Sequence, residues 1–74
     1  MSARLRAVWR YLSERQRRGE SAPSYAEVMA ATGITTKYTV YLQMRKLARL
    51  GVIRQGEGRD RAIAVLEPYC WFED

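Results

Sequence analysis

Seventy-four residues, 47% of them hydrophobic, make one domain with a single modest core, because a chain this short hides only about 60% of its unfolded surface. The net charge is +5, histidine is absent and Cys70 is the sole cysteine, which excludes an intramolecular disulfide and the usual zinc ligand sets. The N-terminus interleaves arginines with apolar residues and has no unbroken apolar run. It therefore reads as neither a signal peptide nor a membrane span, and a cytoplasmic protein is expected.

Charge is unevenly spread. Residues 1–19 hold six arginines against Glu14, residues 37–61 hold seven basic residues against Glu57 and Asp60, and residues 62–74 hold three acids and no base. Two basic blocks and an acidic tail suit a protein with one positive side turned to a polyanion; the competing explanation is a set of solvated helix faces.

Leu5, Val8, Trp9 and Leu12 recur at the spacing of one buried helical stripe, so a first helix is expected over 3–18, closed by Gly19. Its arginines, Arg4, Arg6, Arg10, Arg15, Arg17 and Arg18, then fall largely on the wet side. Trp9 fits the core, as large aromatic rings do in small domains. The segment GESAP is a loop, with Pro23 biasing Ala22 away from helix.

Ser24-Tyr25-Ala26-Glu27 has the spacing of a capping box, placing a short second helix over 25–32 with Val28 and Met29 as its core contacts. Thr32-Gly33-Ile34 is a tight turn. Thr35 or Thr36 then caps a third helix over about 36–50 that stops at Gly51. Val40, Met44 and Leu47 form its inner stripe, with Gln43 at the border. Tyr38, Tyr41, Leu42, Arg45 and Arg49 are expected to point outward.

After Gly51 the period changes. Val52-Ile53-Arg54-Gln55 reads as a strand, residues 56–60 as a glycine-containing turn, and Arg61 to Leu66 as the returning strand. Residues 1–66 then form a mainly α domain with a small β-hairpin. The order is that of a three-helix winged helix-turn-helix, in which the third helix enters the major groove and the wing lies beside the backbone. Residues 67–74 are left as an aromatic and acidic tail, suited either to covering the core or to a homodimer contact. A two-fold dimer would imply a palindromic site.

Residues SAPSYAEVMAATGITT followed by LARLGVIRQGEGRDRAIAVL resemble the N-terminal DNA-binding domain of LexA-type SOS repressors. The likeness lies in the Pro-Ser-x-x-Glu-Val helix start, the Thr-Gly turn, the Leu-Ala-Arg-x-Gly-Val-Ile helix end and the Arg-Ala-Ile-x-Val return strand, over roughly residues 5–66. It implies a winged helix that binds duplex DNA. The family also carries a self-cleaving, dimerising second domain, and nothing after Leu66 is expected to encode it. In the family, the slots of Thr36, Tyr38, Thr39, Tyr41 and Leu42 hold small, polar or acidic residues. The bulkier set here implies an operator other than the SOS operator.

The expected function is a sequence-specific, double-stranded DNA-binding transcriptional regulator, a repressor acting by promoter occlusion, with the wing (56–61) on the backbone. Thr36, Tyr38, Thr39, Tyr41, Leu42 and Arg45 are the base-reading candidates; Arg45 suits guanine, and Leu42 or a threonine methyl suits a thymine methyl. Ser24, Tyr25, Thr35, Lys37, Arg49, Arg59 and Arg61 are the phosphate candidates. The alternative is a protein-binding adaptor or small inhibitor that uses a Tyr38, Tyr41 and Leu42 patch. No enzyme is expected. Without histidine, Cys70 has no activating base, and GEGRD lacks the strand-to-helix setting of a nucleotide loop. No cofactor, metal or small-molecule substrate is called for.

Overall fold

The computed structural model describes residues 2–55 and 63–66. Three helices come first, α1 (Ala3–Arg17), α2 (Tyr25–Thr32) and α3 (Lys37–Leu50), followed by strands β1 (Ile53–Gln55) and β2 (Ile63–Val65). The strands pair antiparallel with Ile53 opposite Val65. This is the helix-turn-helix and hairpin order expected from the periodicities. Each helix stops within a residue of its expected end; β1 begins one residue later than expected, and β2 ends one residue earlier.

Each helix starts on a hydroxyl. Ser2 caps α1, Ser24 caps α2 and Thr36, rather than Thr35, caps α3, each accepting an otherwise orphaned backbone N–H. The turn between α2 and α3 needs Gly33, whose φ of 79° is left-handed and whose N–H closes onto the Met29 carbonyl. Gly51 ends α3 in the same way, at φ 81°.

The core is a single cluster: Leu5, Val8 and Leu12 from α1, Val28 from α2, Ile34 from the turn, Val40, Met44 and Leu47 from α3, and Val52, Ile53 and Val65 from the hairpin. The stripes read from sequence therefore meet. Trp9 and Met29 are half-buried and pack against this cluster rather than sitting within it. Gln43, expected at the border of α3, is only 6% exposed. Its Oε1 has no hydrogen-bond partner among the described residues.

Gln16 ties the hairpin to α1. The Gln16 amide donates to the Val65 carbonyl (3.0 Å), and its Oε1 accepts the Val65 N–H (2.7 Å). In an antiparallel pair, opposed residues alternate between bonding each other and pointing their amides outward. Leu66 N–H bonds the Val52 carbonyl across the ladder, so Val65 is of the outward kind, and Gln16 satisfies both of its peptide groups.

Candidate nucleic-acid interface

Helix α3 carries no acid in its sequence KYTVYLQMRKLARL. Its inner stripe is sealed: Val40, Met44 and Leu47 have no exposed surface. The outer side bears Tyr38, 68% exposed, and Tyr41, 40% exposed, with Arg45 and Arg49 beside them. Tyr38 and Tyr41 stack with centroids 6.3 Å apart, and the Arg45 Cζ lies 5.8 Å from the Tyr41 ring centroid. Residues spaced three and four apart on a helix are neighbours, which is why these three form a ladder. The contact with Tyr41 limits the conformations of Arg45 and orients its fork of donors.

Among the described residues, Lys37, Arg45, Lys46 and Arg49 have no carboxylate partner. Their charge stays available to an incoming anion. Lys37 is the first residue of α3, at the end where the helix dipole is positive. The Thr36 hydroxyl accepts the Thr39 N–H (3.2 Å) and pairs with the Thr39 hydroxyl (2.7 Å). These two base-reading candidates are thus engaged with each other. Thr36 is exposed and Thr39 half-buried.

Leu42 departs from expectation. It is half-buried rather than fully exposed. Of the three apolar residues expected to face outward, only the two tyrosines are exposed; Leu50, at the far end of α3, is exposed as well.

Of the phosphate candidates, Thr35 is exposed and lies beside an open groove of about 410 Å³ bounded by Ala3, Arg4 and Ala7 of α1, the turn, and Thr39. Arg4, on the wall of this groove, brings positive charge close to the start of α3. Sequence reasoning had not singled it out, because helical spacing says only that it faces solvent.

Ser24 and Tyr25 stand at the start of α2, Ser24 exposed and Tyr25 half-buried against the core. The Ser24 hydroxyl accepts the Glu27 N–H (3.1 Å), and the Ser24 N–H donates to Glu27 Oε1 (2.9 Å). The capping box is complete, so the Ser24 backbone donor is already used. Arg59 and Arg61, the wing candidates, lie outside the described residues, as does the tail.

Arg15 overturns the expectation of a wet side chain. It is 14% exposed, and its guanidinium is engaged by Tyr11, Ser21 and Glu27. The loop after α1 folds back over it, which a helical wheel does not register. Arg17 pairs with Glu14 at 2.6 Å, and Arg18 lies 3.4 Å from Glu20.

No described helix is long and apolar enough to cross a membrane. Among the described residues, no group of three or more His, Cys, Asp or Glu could hold a metal ion.

A short second helix, a glycine turn and an exposed, acid-free third helix beside an antiparallel hairpin define a winged helix-turn-helix DNA-binding domain. Comparison with known proteins is specific about which kind. The family model for the LexA DNA binding domain matches residues 1–62, and the chain belongs to that family. It is similar to the LexA repressor of Moorella thermoacetica, 43% identical over 47 residues, which is 64% of this chain and 23% of the relative. The chain thus matches under a quarter of that repressor's length. The matched family is a DNA-binding rather than a catalytic domain.

Proposed function

We propose that this chain is a sequence-specific transcriptional repressor that reads duplex DNA with the outer side of α3. Repression follows from occupancy: a domain seated on a promoter excludes polymerase from the same groove. The observation that carries this reading is the exposed Tyr38, Tyr41 and Arg45 ladder on a helix with four basic residues and no acid. An aromatic and cationic surface that meets no carboxylate among the described residues suits a polyanion with apolar base edges better than it suits water.

Within that surface the roles divide by chemistry. Arg45, steadied by Tyr41, offers two parallel donors to guanine O6 and N7, while the tyrosines bring hydroxyls and ring edges to neighbouring bases. Thr36 and Thr39 offer hydroxyls and methyl groups at the helix start, and Leu42 contributes only its exposed edge. Lys37, Arg49 and Thr35 hold phosphates and set register. Ser24 and Tyr25 do so from α2, and Arg59 and Arg61 from the wing. The similarity to a LexA repressor supports this reading for the domain that the two share.

Selection of duplexes from a random pool tests it. Enrichment of one motif is expected, with affinity falling with salt at a slope of about −0.9 per phosphate neutralised. Arg45→Ala is expected to lose about 1–3 kcal/mol of discrimination at a guanine within that motif. A pool that stays random after repeated rounds overturns sequence-specific reading. The alternative, a protein-docking patch made by Tyr38, Tyr41 and Leu42, is weakened by the half-burial of Leu42.

A further inference from the structure

The DNA-binding surface leaves one charged cluster unused. Arg15 lies beneath the loop that joins α1 to α2. Its Nη1 donates to the Tyr11 hydroxyl (3.1 Å) and to Glu27 Oε2 (3.0 Å), and its Nε donates to the Ser21 carbonyl (2.5 Å). Glu20 Oε1 stands 3.7 Å from the same Nη1. With its side chain 14% exposed, the guanidinium is not available to a phosphate.

Glu27 is the reason this cluster bears on DNA. Its side chain is 49% exposed and its carboxylate sits at the start of α2, the helix that crosses the DNA backbone in a helix-turn-helix. Helix starts attract phosphate, and a carboxylate at the same place repels it. A capping box works equally well with glutamine at this position, so the cap does not require the charge. Glu27 nevertheless remains ionised at neutral pH. The Ser24 backbone N–H holds its carboxyl below the ordinary glutamate range, against burial, and Arg15 adds to the effect. This chain therefore presents a negative charge where a phosphate must approach, and brings one shielded cation up against it from the protein side.

We infer that Arg15 is a positioning residue for DNA binding: it acts through Glu27, cancelling the carboxylate at the start of α2 and holding the Ser21 carbonyl back, without touching the nucleic acid. The inference rests on the DNA-binding reading above. It differs from a direct phosphate contact in one measurable respect. Removing Arg15 weakens binding but leaves the number of neutralised phosphates, and hence the salt slope, unchanged.

The test is fluorescence anisotropy with a fixed duplex, run on the wild-type chain and on Arg15→Met, Arg15→Lys, Glu27→Gln and the Arg15→Met/Glu27→Gln double variant. Helicity is checked by circular dichroism at the assay temperature. Arg15→Met is expected to lose about tenfold in affinity, because like charges are then left facing one another. Arg15→Lys, which keeps the charge, retains most of the affinity, and Glu27→Gln, which removes the carboxylate and leaves Arg15 cationic, binds more tightly than the wild type. The double variant, neutral as the wild-type pair is, regains the wild-type affinity.

A double variant as weak as Arg15→Met overturns the inference, since a purely structural role for Arg15 would not be relieved by removing a charge. A salt slope smaller by about one in Arg15→Met also overturns it, by making Arg15 a phosphate contact. If the wild-type chain retains no duplex, the DNA-binding reading falls and takes this inference with it. Binding by the wild type without rescue in the double variant removes this inference alone.

Discussion

Helix α2 begins at Ser24 and helix α3 at Thr36, and in both the cap hydroxyl accepts the N–H of the third helical residue. Beyond that bond the two ends diverge. At α2 the third residue is Glu27, whose carboxylate returns to the cap and is itself held by Arg15. At α3 the third residue is Thr39, and no acid lies in the first turn. One end has its partial positive charge compensated from within the chain; the other keeps it, with Lys37 added. Backbone geometry alone does not separate them, since both are well-formed caps. The side chain three residues on decides whether a helix start serves only its own stability or also an external anion.

The most direct way to break that contrast is to give α3 the ending of α2. Thr39→Glu creates a second capping box on Thr36. Stability is expected to change by no more than about 1 kcal/mol in thermal denaturation, since the gain at the cap offsets the lost hydroxyl pairing. Duplex affinity is expected to fall by about tenfold or more, because a carboxylate then faces the phosphates. Equal affinity would mean that the start of α3 is not at the nucleic acid.

Next in size are Lys37→Ala and Arg49→Ala, one at each end of α3. Each is expected to weaken binding about evenly across sequences and to flatten the salt slope by about 0.9 in a titration over added salt. A loss confined to one sequence would instead make that residue a base reader.

Removing the hydroxyls sharpens the part the two ends share. Ser24→Ala and Thr36→Ala should each cost about 1 kcal/mol. In a domain of this size that lowers the melting midpoint by roughly 4–8 °C. The smallest effect concerns pH. The folded-state pKa of Glu27 is lowered, so its stabilisation is fully present above the ordinary glutamate pKa and is lost as pH falls through the lowered value. Acid titration of the melting midpoint should show that decline in the wild type and a flatter curve in Glu27→Gln.

How much of this was legible beforehand depends on range. The Ser24 to Glu27 box, the Gly33 and Gly51 endings and the Val40, Met44 and Leu47 stripe follow from rules that reach three or four residues along one helix, and all of them stand in the structure. The outward tyrosines follow from the same wheel. Leu42, Gln43 and Arg15 did not, because a wheel gives the direction of a side chain and not what a neighbouring segment lays over it. The Arg15 to Glu27 bond crosses twelve residues and a loop, and the Gln16 to Val65 pair crosses forty-nine. Neither arginine nor glutamine announces such a partner by its type, since both are ordinary residues for an exposed helix. The site shows the same limit: sequence placed the basic residues on α3, and only coordinates showed that no described acid answers them.

The double bond from Gln16 to Val65 has a consequence for how the molecule behaves in company. A two-stranded ribbon has an open side on each strand, and open sides recruit stray strands from other chains. At Val65 that place is already taken by an amide borrowed from α1, which imitates one rung of a third strand. Replacing Gln16 would therefore do more than slacken the ribbon's tilt against the first helix. It would expose an unmatched rung to every neighbouring copy, and self-association at high concentration would be the first sign.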